Sequence, residues 1–268
     1  MDFSVPDTIE DDIRRFKFFL AEHLKPYLSN WYKKGEVPVD FYRKLATGGW
    51  FGIQWLQDKL VHTSALREAF IEEELARMSP GIAIALLAHV NLGFNGFFLF
   101  GSRLLKQTYG KTVAAGETVM CLGNTENKAG SDVAGISMTA EKVDGGWMLN
   151  GTKAYVTNGA IAGLGVITAI ADPRAPRNNR MSMFLVDLNA AGVQRKKLNK
   201  RVWIPSDLTR LQFKDVFVPD DHLLGERGRG LQQVLEVFTC SRLPISALTL
   251  GTACLLYTSD AADDNRVV

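Results

Sequence analysis

The sequence has 268 residues, 46% of them apolar and 22% charged, so it can bury a sizeable core and reads more readily as two domains than as one. A formal net charge of +2, with no single-sign block beyond the mixed basic stretch 195–201, argues against a nucleic-acid partner. Cys121, Cys240 and Cys254 lack disulfide or metal spacing, and residues 1–12 lack the basic start and apolar run of a signal peptide, so a soluble cytoplasmic protein with reduced thiols is expected.

The first part reads as helix. Ile13, Phe16, Phe19, Leu20 and Leu24 recur at steps of three and four behind an acidic first turn, which predicts an amphipathic helix stopped near Pro26. Phe41, Leu45 and Ala46 mark a second helix ended by Gly48 and Gly49. Ala65, Ala69, Glu72, Leu75 and Ala76 mark a third, closed by Ser79-Pro80. Adjacent Glu72, Glu73 and Glu74 point in different directions on a helix, so a solvated face is expected there and not an acid or metal site. Residues 81–100 form the best membrane candidate. His89, Asn91, Asn95 and the glycines would be costly in lipid, so a buried helix or helix pair is expected, with His89 as a hydrogen-bonded core histidine and no membrane span.

After Gly116 the texture changes. Stretches 139–143, 147–150, 166–171, 183–188 and 211–218 are short, rich in β-branched and bulky residues, and bounded by Gly, Asn, Asp or Pro. Asp144-Gly145-Gly146 is a hairpin signal. Strands without intervening helices predict an antiparallel β domain and disfavour a doubly wound sheet. From about Gly228 a helical period returns, with Leu231, Val234, Leu235 and Phe238 as one stripe behind a flexible Gly-Glu-Arg-Gly-Arg-Gly segment that has neither Rossmann nor P-loop spacing. The basic stretch 195–201 reads as a solvated loop or strand edge before it reads as a phosphate site.

Chemistry-bearing motifs are few. There is no His-Glu-x-x-His, Cys-x-x-Cys or Gly-x-Ser-x-Gly, and His23, His62, His89 and His222 have no ligand-like spacing, so hydrolase and zinc readings have little support. Two polar loops remain. Thr125, Glu126, Ala129, Gly130, Ser131 and Asp132 place hydroxyls, amides and a carboxylate on a glycine-permitted turn that could approach a polar ligand, although a plain β-turn explains them equally well. The second loop follows Asn150-Gly151 and sets Tyr155 and Thr157 in alternation on one expected strand face, where a ring and a hydroxyl could cover a flat ligand and bond its edge.

Thr125-Glu126, Ala129-Gly130-Ser131-Asp132, Asn150-Gly151-Thr152-Lys153 and Thr157-Asn158-Gly159 stand in one order with five later matches. These are 211–216, Val218-Pro219, Leu224-Gly225, 228–231, and Arg242 with Gly251. Together, over residues 101–253, they resemble the acyl-CoA dehydrogenase family. Asn127 stands where the family usually has Pro, Tyr155 where it usually has Trp, and Gly123 and Asn124 are atypical of a commonly apolar segment.

The resemblance implies an α+β fold: an N-terminal all-α domain over 1–116, a middle antiparallel β domain over 117–225, and the start of a C-terminal helical domain over 226–253. It implies FAD as cofactor, with Leu122, Thr125, Gly130 and Ser131 along the flavin and Tyr155, Val156 and Thr157 packed on its ring, the Thr157 hydroxyl near N5. Ser131 would also touch the pantetheine arm of an acyl-CoA, and Thr239 and Arg242 would meet its nucleotide end. The implied reaction is α,β-desaturation of the thioester in fatty acid metabolism, by proton abstraction at Cα and hydride transfer from Cβ to the flavin. A homotetramer and an electron-transfer flavoprotein acceptor are implied as partners, with a mitochondrial matrix location for a eukaryotic member.

The family's base is usually a Glu in the C-terminal bundle, or in some branches a Glu directly before the arginine equivalent to Arg242, where this chain has Ser241. No catalytic residue is therefore expected in this chain. Residues 254–268 match nothing in the family and read as adapter-like sequence, so a non-native tail, the loss of the catalytic bundle and an inactive chain are expected. The other readings are a noncatalytic flavin or acyl-CoA binding protein and an acyl-CoA oxidase or flavin monooxygenase relative.

Overall fold

A computed structural model describes residues 5–258. The amphipathic start forms α1 (Asp7–His23), which buries Phe16 and Leu20 and ends before Pro26. Then come α2 (Leu28–Lys34), which stops at Gly35 in the left-handed region at φ 64°, and α3 (Val39–Thr47), which buries Phe41, Tyr42 and Leu45. A β-hairpin absent from the sequence reading interrupts the helices: β1 (Ile53–Leu56) pairs with β2 (Lys59–His62). Gln57 and Asp58, both at positive φ, make its two-residue turn.

Serine hydroxyls cap the next helices. Ser64 accepts from the Arg67 amide at the start of α4 (Ala65–Met78), and Ser79 from the Ile82 amide at the start of α5 (Pro80–Leu87). α5 runs on through a π-helical stretch, Ala88–Phe94, into α6 (Asn95–Phe100), giving one long, mostly buried helix. Residues 80–100 and 230–257 are both long and apolar enough to cross a membrane, but the first is packed inside the protein as a core helix. α7 (Arg103–Ala114), capped by Ser102, completes this part.

The sheet follows as β3 (Met120–Gly123), β4 (Thr139–Val143), β5 (Gly146–Val156), β6 (Leu164–Ile170), β7 (Met181–Asp187), β8 (Val193–Lys197), β9 (Thr209–Pro219) and β10 (Leu223–Leu224). The order is β10-β7-β6-β4-β5-β9-β8, with β3 on β6. The Asp144-Gly145 turn joins β4 to β5 with Gly145 at φ 69°. The sheet is not purely antiparallel, because β3 runs parallel to β6 and β4 meets β6 in a parallel pair. Helices α1–α7 precede all eight strands, so the crossover helices of a doubly wound sheet are missing.

Burial explains why some strands read as continuous apolar runs and others as alternating ones. Along β7, Met181, Met183 and Leu185 join the core that also contains Phe94, Phe97 and Val234, while Phe184 and Val186 face the core with Trp147 and Phe213. Both faces of β6 and β7 are covered, so nothing selects polar residues there. β9 has one covered face and alternates Thr209, Leu211 and Phe213 inward with Arg210 and Gln212 outward.

The chain closes with α8 (Gly230–Thr258), which contains Pro244 and packs against α4. Its stripe differs from the sequence reading: Val234 and Val237 are buried, while Leu235 is 45% exposed. Of the segment expected to be foreign, residues 254–258 continue α8, and residues 259–268 lie outside the described residues.

The acidic run on α4 also differs. Glu72 is 3% exposed and Glu68, one turn before it, 9% exposed, so that part of the helix faces the interior. The Asn91 amide donates to Glu68 at 3.2 Å and His62 Nε2 lies 3.4 Å from it. His89 is the core histidine expected, its Nδ1 accepting from the Met120 amide at 3.0 Å, and burial pulls it down to about 3.

Candidate functional site

The two polar loops are neighbours. β3 leads into residues 124–135, β5 leads into residues 157–163, and the Ala154 amide donates to the Thr125 carbonyl at 2.8 Å, binding the ends of both. Glu126 and Ala129 exchange backbone hydrogen bonds of 2.9 and 3.1 Å, which closes a tight turn over Asn127-Lys128 and leaves Gly130 and Ser131 exposed. Asp132 pairs with Arg177 at the far side of this turn.

The strand alternation expected for Tyr155 and Thr157 does not occur. A register shift between Lys153 and Val156 bulges β5 against β9, and Tyr155 takes φ 56°. A bulge turns the side chain that follows it, and here it drives Tyr155 out to 59% exposure while Lys153, Ala154 and Val156 stay buried. The strand ends at Val156, and half-buried Thr157 begins the turn. Val156 belongs to the β-domain core, so its side chain points away from the face that presents Tyr155.

Asn158, also left-handed at φ 65°, is 1% exposed and fastens the turn to the helical part. Its Oδ1 accepts from the Tyr42 hydroxyl at 3.1 Å and its Nδ2 donates to the Ala85 carbonyl at 2.7 Å. The Ala160 amide donates to Asp207 at 2.8 Å. Burial raises the Asp207 carboxyl to about 6 although that amide and neighbouring lysines oppose the rise.

Beneath the loops lies a buried polar cluster. The Glu126 carboxylate accepts from the Ser137 amide at 2.7 Å, the Ser137 hydroxyl at 2.6 Å, the Met138 amide at 3.0 Å and Lys153 Nζ at 2.8 Å. Lys153, wholly buried, also donates to the Asn124 carbonyl at 3.1 Å and the Thr168 hydroxyl at 3.4 Å. Thr168 in turn donates to the Asn124 side chain at 2.9 Å. Burial pulls the Lys153 ammonium down to about 8 against the pull of Glu126. For Glu126 burial pushes upward, yet Lys153, Ser137 and the Met138 amide outweigh it and leave the carboxyl below its ordinary value. Both groups are therefore charged at neutral pH.

This cluster also accounts for the two unusual residues before the loop. A Cβ at Gly123 would meet the Ile167 side chain at 2.7 Å, and Asn124 supplies acceptors to Lys153 and Thr168.

The outward groups contrast with the saturated cluster below. Among the described residues, no hydrogen bond engages the hydroxyls of Thr125, Ser131, Tyr155 or Thr157, and the amides of Gly130 and Ser131 have no acceptor. Leu122 is half-buried on β3 just behind them. These are donors and acceptors, with one aromatic face, left for a ligand with a flat ring and polar edges.

Thr239 and Arg242 sit elsewhere, on the exposed face of α8 one turn apart, with the Thr239 hydroxyl donating to the Leu235 carbonyl at 2.9 Å. The Ser241 hydroxyl is likewise spent on its own helix, donating to the Phe238 carbonyl at 2.9 Å. Sequence reasoning missed Asn158, Asp207, Thr168 and the Glu126–Lys153 pair as a supporting set. No local spacing joins residues 27 and 44 positions apart: the parallel pairing of β3 with β6 brings Thr168 to Asn124, and the contact of the end of β3 with β5 brings Lys153 to Glu126.

A helical part packed on a β domain, with a rigid polar bed beneath two open loops, is an α+β ligand-binding architecture. Residues 8–117 match the family model for the acyl-CoA dehydrogenase N-terminal domain and residues 121–216 that for the middle domain. The chain belongs to the acyl-CoA dehydrogenase family.

It is 36% identical over 186 residues to the mitochondrial isovaleryl-CoA dehydrogenase of Arabidopsis thaliana, a match covering 68% of this chain and 45% of that protein. Its fold is similar to butyryl-CoA dehydrogenase from Megasphaera elsdenii at a TM-score of 0.90 and 27% identity, covering 100% of this chain and 71% of that one. An FAD complex of PigA matches at a TM-score of 0.89 and 25% identity, over 98% of this chain and 69% of that one. The chain thus spans less than half of the plant relative. FAD is the cofactor bound in such structural neighbours of the family.

Proposed function

We propose that this chain forms the flavin face and part of the thioester contact of an acyl-CoA dehydrogenase, with FAD as cofactor and an acyl-CoA as substrate. One observation carries the reading: the side chains of the two family loops divide into saturated, buried groups and unengaged, outward hydroxyls on adjoining segments. The residues fit the cofactor, since an exposed ring at Tyr155 and free hydroxyls at Thr125 and Thr157 stand beside amides with no acceptor.

When bound, FAD would supply acceptance of the β hydrogen as hydride. The chain's own part is to hold and shield. Tyr155 covers the ring, and Thr125 and Thr157 donate to its polar edge, which favours the electron-rich reduced form. Ser131 donates to the pantetheine arm, and Arg242, beside Thr239 on the exposed face of α8, meets the nucleotide end.

Removal of the α proton needs a base, and the un-ionised Ser241 hydroxyl, which donates to the Phe238 carbonyl, is too weakly basic to serve as one. We assign proton abstraction to a group outside these residues. The same observation favours a second reading, in which the chain as given binds flavin and acyl-CoA without turnover. Exposed Leu235, Leu243 and Leu250, at roughly two-turn intervals along α8, support further protein packing there, as in a homo-oligomer. An electron-transfer flavoprotein would take up the electrons.

The test is to titrate the purified chain with FAD and then add acyl-CoA under anaerobic conditions. Weak, saturable FAD uptake without bleaching is expected. Bleaching at an enzymic rate would show a base within these residues and refute the assignment, and no uptake at any concentration would refute the flavin site itself.

A further inference from the structure

Four buried polar residues, Asn124, Glu126, Lys153 and Thr168, lie beneath the loops, and each ends on a loop backbone or on another member of the set. Lys153 has three N–H donors and places them on the Asn124 carbonyl, the Glu126 carboxylate and the Thr168 hydroxyl. Glu126 answers with four acceptor contacts, two of them to the amides of Ser137 and Met138 where the first loop leaves for β4. The first loop is therefore held at both ends by one carboxylate, and that carboxylate is held by a residue two positions before Tyr155.

Among the described residues, one backbone hydrogen bond, from Ala154 to Thr125, otherwise ties the first loop to the bulged end of β5. The bulge needs such a hold. Tyr155 at φ 56° is in the left-handed region, which is strained for a non-glycine residue, and it persists only where its surroundings fix it.

We propose that the Glu126–Lys153 pair, with Thr168 and Asn124, is the positioning device of the site: it sets Thr125 against Tyr155 and Thr157 before any ligand arrives. The proposal rests on the flavin reading given above and deepens it. Glu126 and Lys153 are positioning residues, because neither reaches the open face. A saturated buried pair suits this task, since its bonds have fixed directions and each broken bond strands a charge. An apolar cluster would fill the space and leave the loops free to slide against each other.

The experiment compares the full chain with Glu126→Gln, Lys153→Met and Thr168→Val in two arms. The first arm reads amide hydrogen exchange at Ser137, Met138 and Ala154 against the β6–β7 ladder as an internal standard. The second reads FAD affinity and the fine structure of the bound flavin's visible absorption band. The charge variants are expected to lose protection at those three amides while β6–β7 keeps its protection. The FAD dissociation constant should rise about tenfold or more, with a blurred absorption band. Thr168→Val keeps the ion pair and remains measurable should a charge variant fail to fold, and about a threefold loss of affinity is expected from the release of Asn124.

Unchanged protection at the three amides in every folded variant overturns the proposal. So does lost protection together with unchanged FAD affinity and spectrum, because the pair would then be structural alone. Should the parent chain bind no FAD, the flavin reading fails by itself, and the exchange arm still decides whether the pair fixes the loops.

Discussion

Glu72→Gln should make the protein's stability less sensitive to pH, and by an amount that follows from where Glu72 sits. The side chain is 3% exposed on α4, its Oε1 has no hydrogen-bond partner, and Glu68 lies one turn earlier on the same helix. Burial first, and then the Glu68 charge, raise the Glu72 carboxyl well above its ordinary value. In the pH window between the unfolded and folded values, the folded chain keeps a proton that the unfolded chain has released. Stability is therefore fully present below the unfolded value and is lost as pH rises toward the folded one, at about 1.4 kcal/mol per pH unit. Glutamine keeps the shape, does not titrate, and offers an amide that can donate to Glu68.

Urea unfolding followed by the fluorescence of the five tryptophans, from about pH 5.5 to about pH 7, measures the difference. The variant should gain on the parent as pH rises through that window, by at most about 1.4 kcal/mol per pH unit. His62, which its partner Glu68 raises against the opposing effect of burial, also contributes stability that falls with rising pH. Parallel pH curves for parent and variant would refute the argument, since they would mean that Glu72 titrates alike in both states.

Two further outcomes follow from the packing. Tyr155→Ala should leave the urea midpoint unchanged, because the ring is 59% exposed, yet weaken FAD binding by about three- to tenfold in a fluorescence titration; equal affinity would remove Tyr155 from the flavin face. Gly230→Ala puts a Cβ 2.7 Å from the Ser182 Cα and 2.8 Å from the Met181 carbonyl carbon, a backbone clash that should cost about 1–3 kcal/mol in urea unfolding; a neutral result would mean that the start of α8 is free to shift.

The legible parts of the fold were those with a local cause. The spacing of Phe16, Leu20 and Leu24 marks α1, and Asp144-Gly145 marks the β4–β5 hairpin, because neighbours in sequence make those contacts. The β1–β2 hairpin escaped notice because its strands are four residues each, too short for alternation to register. Three consecutive carboxylates at 72–74 look like a solvated surface, whereas the interior reaches past Glu68 and takes in Glu72. At the candidate site, the loops could be found by motif order, but the outward turn of Tyr155 comes from a bulge that depends on β9.

By itself, the sequence determined where the helical part gives way to the large sheet, which two loops carry polar groups, and which family order they follow, since period, turn residues and motif spacing are all local or serial properties. Tertiary structure alone decided that Lys153, on β5, meets Glu126 and Thr168 beneath those loops, and that Asn158 is a fastener to the helical part. The reason is physical. A buried charge or amide is settled by partners that must saturate its bonds, and those partners come from strands and helices whose adjacency no residue spacing along the chain records.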